Sequence, residues 1–287
     1  MKKCTYCGKE YFDDVAQCVI DGAVLQIEEP PPPIITETSN PPPATSSLAP
    51  RMLSDRRLRI FELALVCVIA FGGSIWASAF HFFGGQRQVG HSFSEWIYAF
   101  ICEGSALGLL WYVLLRRSKS IADLGFRWRW TDIGWSIALW AAGYVAFFFV
   151  YQVIYYSGLT HVSGGTADTQ VTQSLFGKGV FATTLLFLCL NPFFEELIVR
   201  AYVITEIRAL TNSPAKAIIF SAVLQMSYHL YQGVPMTIGE GAQFLIWSIY
   251  FAKTGRITPI ILAHLYEDVG GTLWYLFHNQ VATSVVT

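Results

Sequence analysis

Charged residues are scarce in this chain of 287 residues: only 14% are Asp, Glu, Lys or Arg, against roughly 25% in a soluble domain. The formal net charge is −1, so no basic excess indicates binding to nucleic acid. The polar N-terminus lacks the apolar core that a secretory signal peptide would have. Hydrophobic residues make up 53% of the chain and cluster in long runs, which predicts a multi-pass membrane protein surrounded by lipid.

Composition divides the chain into three regions. Residues 1–27 form a small polar module, and residues 28–59 are rich in Pro, Ser and Thr, which predicts a disordered linker. Residues 60–280 alternate apolar runs with short polar breaks. We therefore expect an all-α, polytopic transmembrane helix bundle in the last region.

Seven apolar runs are visible, so the bundle is predicted to have seven or eight membrane spans. The runs cover residues 60–81, 95–115, 132–157, 179–208, 215–232, 238–253 and 257–278. A crossing helix needs about 20 apolar residues, so the short fifth and sixth runs are expected to be tilted or embedded in the bundle. Lys and Arg concentrate in alternate breaks, which predicts a cytoplasmic N-terminus, in a bacterial plasma membrane.

Two adjacent carboxylates and an arginine interrupt the fourth run, where charge is costly and by default marks a functional site. On a helix, Glu195 and Glu196 point about 100° apart, so we do not expect them to share a role. Glu196 and Arg200 have i,i+4 spacing and would form a supporting ion pair. Glu195 would then face a cavity and act as a general acid or base. The alternative is a polar cluster that only holds helices together.

Two later runs each carry a histidine. His229 lies in the fifth run, and His264 lies four residues before Asp268 in the seventh, on the same helix face. Each has a plain alternative: a hydrogen-bonded core histidine for His229, and a helix-surface hydrogen bond or a proton path for His264. Considered jointly with Glu195, they make a hydrolytic set in which the histidines ligate a divalent metal or stabilise an oxyanion. No H-E-x-x-H motif is present, which excludes a zincin-type helix.

Three ordered motifs in this chain resemble those of the CPBP family of intramembrane proteases, which includes CAAX prenyl endopeptidases and bacteriocin-processing proteins. The family patterns E-E-x-x-x-R, F-x-x-x-H and H-x-x-x-N/D are matched, in that order, by Glu195, Glu196 and Arg200, by His229, and by His264 and Asp268. Gln225 stands where the second pattern has phenylalanine. The likeness covers about residues 90 to 275.

The resemblance implies an endopeptidase that hydrolyses a peptide bond of a membrane-associated peptide or protein. It implies that Glu195 activates water with His229, while His264 and Asp268 bind the oxyanion or a metal. The competing hypothesis is a non-catalytic membrane scaffold or regulatory protein that docks a partner through its N-terminal module. An ion or proton transporter is less favoured, because no inverted repeats or paired broken helices are evident.

The N-terminal module has the spacing of a small zinc ribbon. Its pattern is Cys4-x2-Cys7-x10-Cys18-x2-Asp21, which supplies four ligands if Asp21 takes the fourth place. So short a module has little core and would need zinc to fold. It resembles bacterial zinc ribbons with a C-x-x-D-G second knuckle, and its role would be to bind a protein partner or to regulate. The alternative is a disordered tail in which Asp21 and Gly22 form a turn.

Overall fold

A computed structural model describes residues 2–3, 10–11, 15, 17, 55–84, 91–158 and 182–285. The chain divides into two compact units, Met1–Pro50 and Arg51–Thr287. In the first unit, strand β1 (Lys2–Lys3) pairs antiparallel with strand β2 (Glu10–Tyr11). The predicted zinc ligands lie outside the described residues, as does most of the predicted linker; they are Cys4, Cys7, Cys18 and Asp21.

The described part of the second unit is helical, as the sequence predicts. Its seven helices are α1 (Asp55–Phe82), α2 (Phe93–Arg116), α3 (Thr131–Tyr156), α4 (Ala182–Thr211), α5 (Pro214–His229), α6 (Val234–Thr254) and α7 (Thr258–Val285). Two short 3₁₀ turns cover Ile121–Leu124 and Leu230–Gln232. The all-α class is therefore confirmed for these residues.

Four of these helices, α1 to α4, are long and apolar enough to cross a membrane. Helix α5 has only 16 residues, in keeping with the short fifth run of the sequence. The described helices thus support a membrane protein, whereas the count of seven to eight spans stays a prediction.

Local sequence signals account for several helix boundaries. Helix α2 begins with a capping box, in which the Ser92 hydroxyl accepts from the Glu95 amide and the Glu95 carboxylate accepts from the Ser92 amide. Helix α5 begins at Pro214, directly after the capping residue Ser213. Helix α6 ends where Gly255 takes the left-handed conformation, with φ of +64°. These boundaries fix which residues of each helix reach the interior.

The segment before α3 is fastened to the corner between α6 and α7. The Ile257 amide donates to the Gly125 carbonyl at 3.3 Å. The Thr258 hydroxyl accepts from the Arg127 amide and donates to its carbonyl, both at 3.1 Å. A Cβ at Gly125 would lie 1.8 Å from the Gly255 carbonyl oxygen, so only glycine allows the two backbones to approach so closely.

Basic residues gather at one end of the helix bundle, which we call the basic end. They hold the helix ends together through the contacts Arg59–Glu206 at 3.0 Å, Arg117–Glu206 at 2.8 Å, Arg208 to the Ala252 carbonyl at 3.3 Å, and the ion pairs Arg116–Glu62, Arg117–Glu62 and Arg256–Asp132. The start of α1 and the ends of α2, α4 and α6 therefore share this end, which serves as a reference level for the interior residues.

Candidate active site

A cavity of about 450 Å³ lies among α1, α2 and α4 to α7. All four residues that the sequence nominated for catalysis line it: Glu195, His229, His264 and Asp268. They come from three separate helices, so it is the packing of α4, α5 and α7 that brings them together. The volume falls within the range of roughly 300–1,000 Å³ that is usual for ligand sites.

Four residues that line the cavity lie at the same sequence distance from the basic end. Each lies thirteen positions along its own helix from a Lys or Arg near the basic end, in the pairs Glu103–Arg116, Glu195–Arg208, His229–Lys216 and Glu240–Lys253. At about 1.5 Å per residue, thirteen positions span about 20 Å of α-helix, and less along α4, where residues 196–202 are π-helical. His264 lies only eight positions from Arg256, about 12 Å of α-helix, and it lines the same cavity.

Helix α4 changes its winding at the two glutamates. Its α-helical part ends at Glu195, a π-helical segment covers Glu196–Tyr202, and α-helix resumes at Val203. Pro192, which has no N–H, lies in the turn before this segment. Such π segments occur often at functional sites. Here the segment begins directly after Glu195, the carboxylate that lines the cavity.

Glu196 lies in the packed interior and joins two helices. Its Oε1 accepts from Nη1 of Arg200 at 2.7 Å and lies 2.8 Å from Nδ1 of His264 on α7. Both Glu196 and Arg200 are completely buried. The Arg200 guanidinium also lies 5.2 Å from the ring centroids of Phe244 and Trp247, as in cation–π contacts. These contacts indicate that Glu196 has a structural role: it neutralises Arg200 and joins α4 to α7.

Glu195 has neutral partners. Its Oε2 accepts from the Gln225 side-chain amide at 2.9 Å and from the Tyr228 hydroxyl at 2.8 Å. Tyr228 is stacked on Phe71 of α1, with ring centroids 4.9 Å apart and planes 5° apart. No Lys or Arg of the described chain pairs with Glu195, and no described residue donates to its Oε1. The carboxylate is thus held in place through its Oε2.

His229 is oriented by residues that follow it. Its Nδ1 lies 3.0 Å from the Gln232 side-chain nitrogen and 3.2 Å from a carboxylate oxygen of Glu240. Donation by the Gln232 amide favours the neutral tautomer with its proton on Nε2, whereas the Glu240 carboxylate beside the same atom favours a proton on Nδ1. Nε2 has no hydrogen-bond partner in the described part of the chain.

The predicted pairing of His264 with Asp268 is only loosely formed. Nε2 of His264 lies 3.7 Å from the nearer Asp268 oxygen, which exceeds hydrogen-bond length. The close carboxylate is Glu196, from another helix. The i,i+4 spacing in the sequence pointed to Asp268, the more distant carboxylate. Spacing within one helix cannot show which side chains of another helix lie near His264.

The donor set does not fit the divalent metal that the sequence left open at this site. Among the described residues, no group of three or more His, Cys, Asp or Glu side chains is placed to hold a metal ion. Nδ1 of His264 is engaged by Glu196, and Oε2 of Glu195 already accepts two hydrogen bonds. The chemistry considered below therefore uses only the protein's own groups.

Several residues around the cavity were not singled out from the sequence. Glu103 and Glu240 are carboxylates inside apolar runs, the signal that marked Glu195, so that signal could have found them. Gln225 was noted only as a departure from a motif, and its contact with Glu195 has no sequence signal. Glu267, which accepts from the Gln243 amide, lines the cavity beside Asp268.

The four long apolar helices support a membrane protein, and its helix bundle encloses a cavity lined by carboxylate and imidazole groups. Residues 177–270 match the family model described as type II CAAX prenyl endopeptidase Rce1-like. This segment runs from just before α4 into α7 and contains the three motifs of the sequence analysis. Comparison with curated proteins and with solved structures gives no match.

Proposed function

We propose that this protein is an intramembrane endopeptidase, similar to CAAX prenyl proteases, that hydrolyses a peptide bond of a membrane-associated peptide or protein. The observation that carries the proposal is the environment of Glu195: a cavity carboxylate held by neutral donors in a segment that matches a protease family. A carboxylate with a purely structural role is expected to have a cationic partner, and here Glu196 has that arrangement.

In the proposed reaction, Oε1 of Glu195 takes a proton from a water molecule. The water oxygen bonds to the carbonyl carbon of the substrate, and the carbonyl electron pair moves onto its oxygen. The imidazole of His229 orients the water. His264, as an imidazolium that donates Nδ1–H to Glu196, stabilises the oxyanion through Nε2–H. When the C–N bond breaks, Glu195 returns the proton to the leaving amine.

Asp268 has a secondary part in this scheme. At 3.7 Å from Nε2 of His264 it adds negative charge near the imidazolium without occupying that hydrogen. Nε2 therefore remains available to the oxyanion. Glu196 and Arg200 support the site by fixing the position of His264.

The orientation of the protein in the membrane is inferred from the position of its Lys and Arg residues. If the basic end faces the cytoplasm of a bacterial cell, as the positive-inside rule favours, the chain enters its bundle from the cytoplasmic side. His229 then lies about 20 Å from that face, and His264 about 12 Å, at the rise of an α-helix. The N-terminal module, with zinc on Cys4, Cys7, Cys18 and Asp21, would bind a protein partner or regulate access.

The decisive experiment measures peptide-bond cleavage by the full-length protein in lipid nanodiscs. A peptide library prepared from a membrane proteome is incubated with the protein, and new termini are identified by mass spectrometry. Glu195→Gln is expected to lower turnover by at least about 100-fold, the usual contribution of a general base. Asp123→Asn, which removes an exposed carboxylate outside the cavity, serves as the control. A non-catalytic scaffold predicts equal results for all three proteins, and that outcome would refute the proposal.

A further inference from the structure

Glu103 on α2 is set apart from the other carboxylates that line the cavity. Its side chain is buried, with 7% of the residue exposed, and its Oε2 has no hydrogen-bond partner in the described chain. No described residue forms an ion pair with it. Oε2 of Glu240 and Oδ2 of Asp268 also lack a hydrogen bond in the described chain, but each of the other carboxylates has a polar neighbour: Glu195 has Gln225 and Tyr228, Glu267 has Gln243, Glu240 lies 3.2 Å from His229, and Asp268 lies 3.7 Å from His264.

A buried carboxylate without a partner is costly in a helix of this kind. Helix α2 is one of the four helices apolar enough to cross a membrane. Removing a carboxylate from water in such surroundings costs several kcal/mol unless a partner compensates. No hydrogen bond or ion pair within the described bundle occupies Oε2 of Glu103. A group that enters the cavity and pairs with Glu103 would compensate this desolvation cost.

Glu103 is also placed beside the reacting groups. Both Glu103 and Glu195 line the cavity, and each lies thirteen positions before an arginine of the basic end, Arg116 and Arg208. Helix α2 packs against the first half of α4, where the Trp96 and Phe187 ring centroids are 4.9 Å apart. A substrate chain that presents a peptide bond to Glu195 therefore passes Glu103 within a few residues of that bond.

The charge of the cavity identifies the chemistry of the incoming group. Five carboxyl side chains line the cavity, whereas no Lys or Arg side chain of the described bundle does. We propose that Glu103 binds a lysine or arginine side chain of the substrate next to the peptide bond that is cut. This inference rests on the proposed protease function for the meaning of "substrate". An ammonium or guanidinium group would donate to Oε2 and neutralise the carboxylate.

Binding can be measured separately from cleavage. Two fluorescent apolar peptides, identical except for lysine or norleucine at one central position, are titrated against the full-length protein in nanodiscs by fluorescence anisotropy. The lysine peptide is expected to bind at least about tenfold more tightly, as befits a hydrogen bond between charged groups. Glu103→Gln should abolish this difference while leaving the affinity for the norleucine peptide unchanged. Asp123→Asn, the control, should keep the difference.

The variant is suited to the test because it removes an unpaired charge, so it should unfold at no lower temperature than the wild type. Equal affinity of the wild type for both peptides, or binding of neither, overturns the inference. Loss of affinity for both peptides in Glu103→Gln overturns it as well.

Cleavage of the same two peptides distinguishes the inference from the proposed function. Hydrolysis of both at equal kcat/KM would overturn the lysine preference and leave the protease function standing. Preferred binding of the lysine peptide without any hydrolysis would support the cationic site and count against the protease. Preferred hydrolysis of the lysine peptide, lost in Glu103→Gln, is the result expected if both hold.

Discussion

The imidazole of His264 is held across the bundle by Glu196, with 2.8 Å between Nδ1 and Oε1. Glu196 is at the same time the ion-pair partner of Arg200, so one buried carboxylate links a cation of α4 to a cavity residue of α7. The position of His264 therefore depends on the Glu196–Arg200 ion pair, which the sequence analysis predicted to have a supporting role.

The first prediction concerns Glu196. Glu196→Gln should lower the free energy of unfolding by about 3 kcal/mol, because it leaves the Arg200 guanidinium buried without a counter-charge. Asp268→Asn removes the looser neighbour of His264 and should cost less than about 1 kcal/mol. Denaturant unfolding in detergent micelles, followed by circular dichroism, measures both. Equal stability of Glu196→Gln and the wild type would contradict the structural role.

The second prediction concerns the two donors to Glu195. Gln225→Leu and Tyr228→Phe should each lower kcat/KM by about ten- to 100-fold, since hydrogen bonds to charged groups contribute about 1.5–3 kcal/mol. Ser227→Ala is the matched control, because that hydroxyl donates to the Leu224 carbonyl of its own helix. Cleavage of a library-derived peptide measures the effect. A Gln225→Phe variant as active as the wild type would show that the amide is dispensable.

The third prediction separates His229 from its neighbour Glu240. His229→Ala should reduce cleavage at least about 100-fold by removing the Nε2 group, whereas Glu240→Gln should reduce it less. The reason is that Gln232 still orients the imidazole when the Glu240 charge is lost. Single-turnover rates in nanodiscs provide the comparison. If Glu240→Gln proved the more damaging of the two, Glu240 would have to replace His229 in the mechanism.

The fourth prediction tests the glycine contact at the basic end. Gly125→Ala should destabilise the protein by several kcal/mol or prevent its folding, because the added Cβ would collide with the Gly255 carbonyl and φ is +84°. Gly134→Ala is the control: it lies within α3 with no atom near the new methyl group, and should be neutral or stabilising by up to about 1 kcal/mol. Thermal unfolding distinguishes them, and equal midpoints would refute the contact.

The fifth prediction concerns metal content. The purified full-length protein should contain zinc in a one-to-one ratio, and Cys4→Ser with Cys7→Ser should remove it, because the remaining ligands are too few. Plasma emission spectroscopy measures the zinc, and the cleavage assay measures activity. Zinc that persists in this double variant and disappears in His264→Ala would place the metal in the bundle instead.

The sequence predicted the helices well because membrane helices follow from local composition. The second and third apolar runs, 95–115 and 132–157, became helices Phe93–Arg116 and Thr131–Tyr156. The first helix begins at Asp55 rather than at residue 60, since polar residues at a helix end do not interrupt its hydrogen bonds. Hydropathy places the apolar core of a helix more sharply than its ends.

By itself, the sequence determined that charge is rare in the bundle, and therefore that Glu195, Glu196 and the histidines deserved notice. Only the tertiary structure decided their partners: Glu196 for His264, Gln225 and Tyr228 for Glu195, and none in the described chain for Glu103. The physical reason is that spacing within one helix defines a face, whereas contacts across as many as 68 residues depend on how the helices rotate and pack.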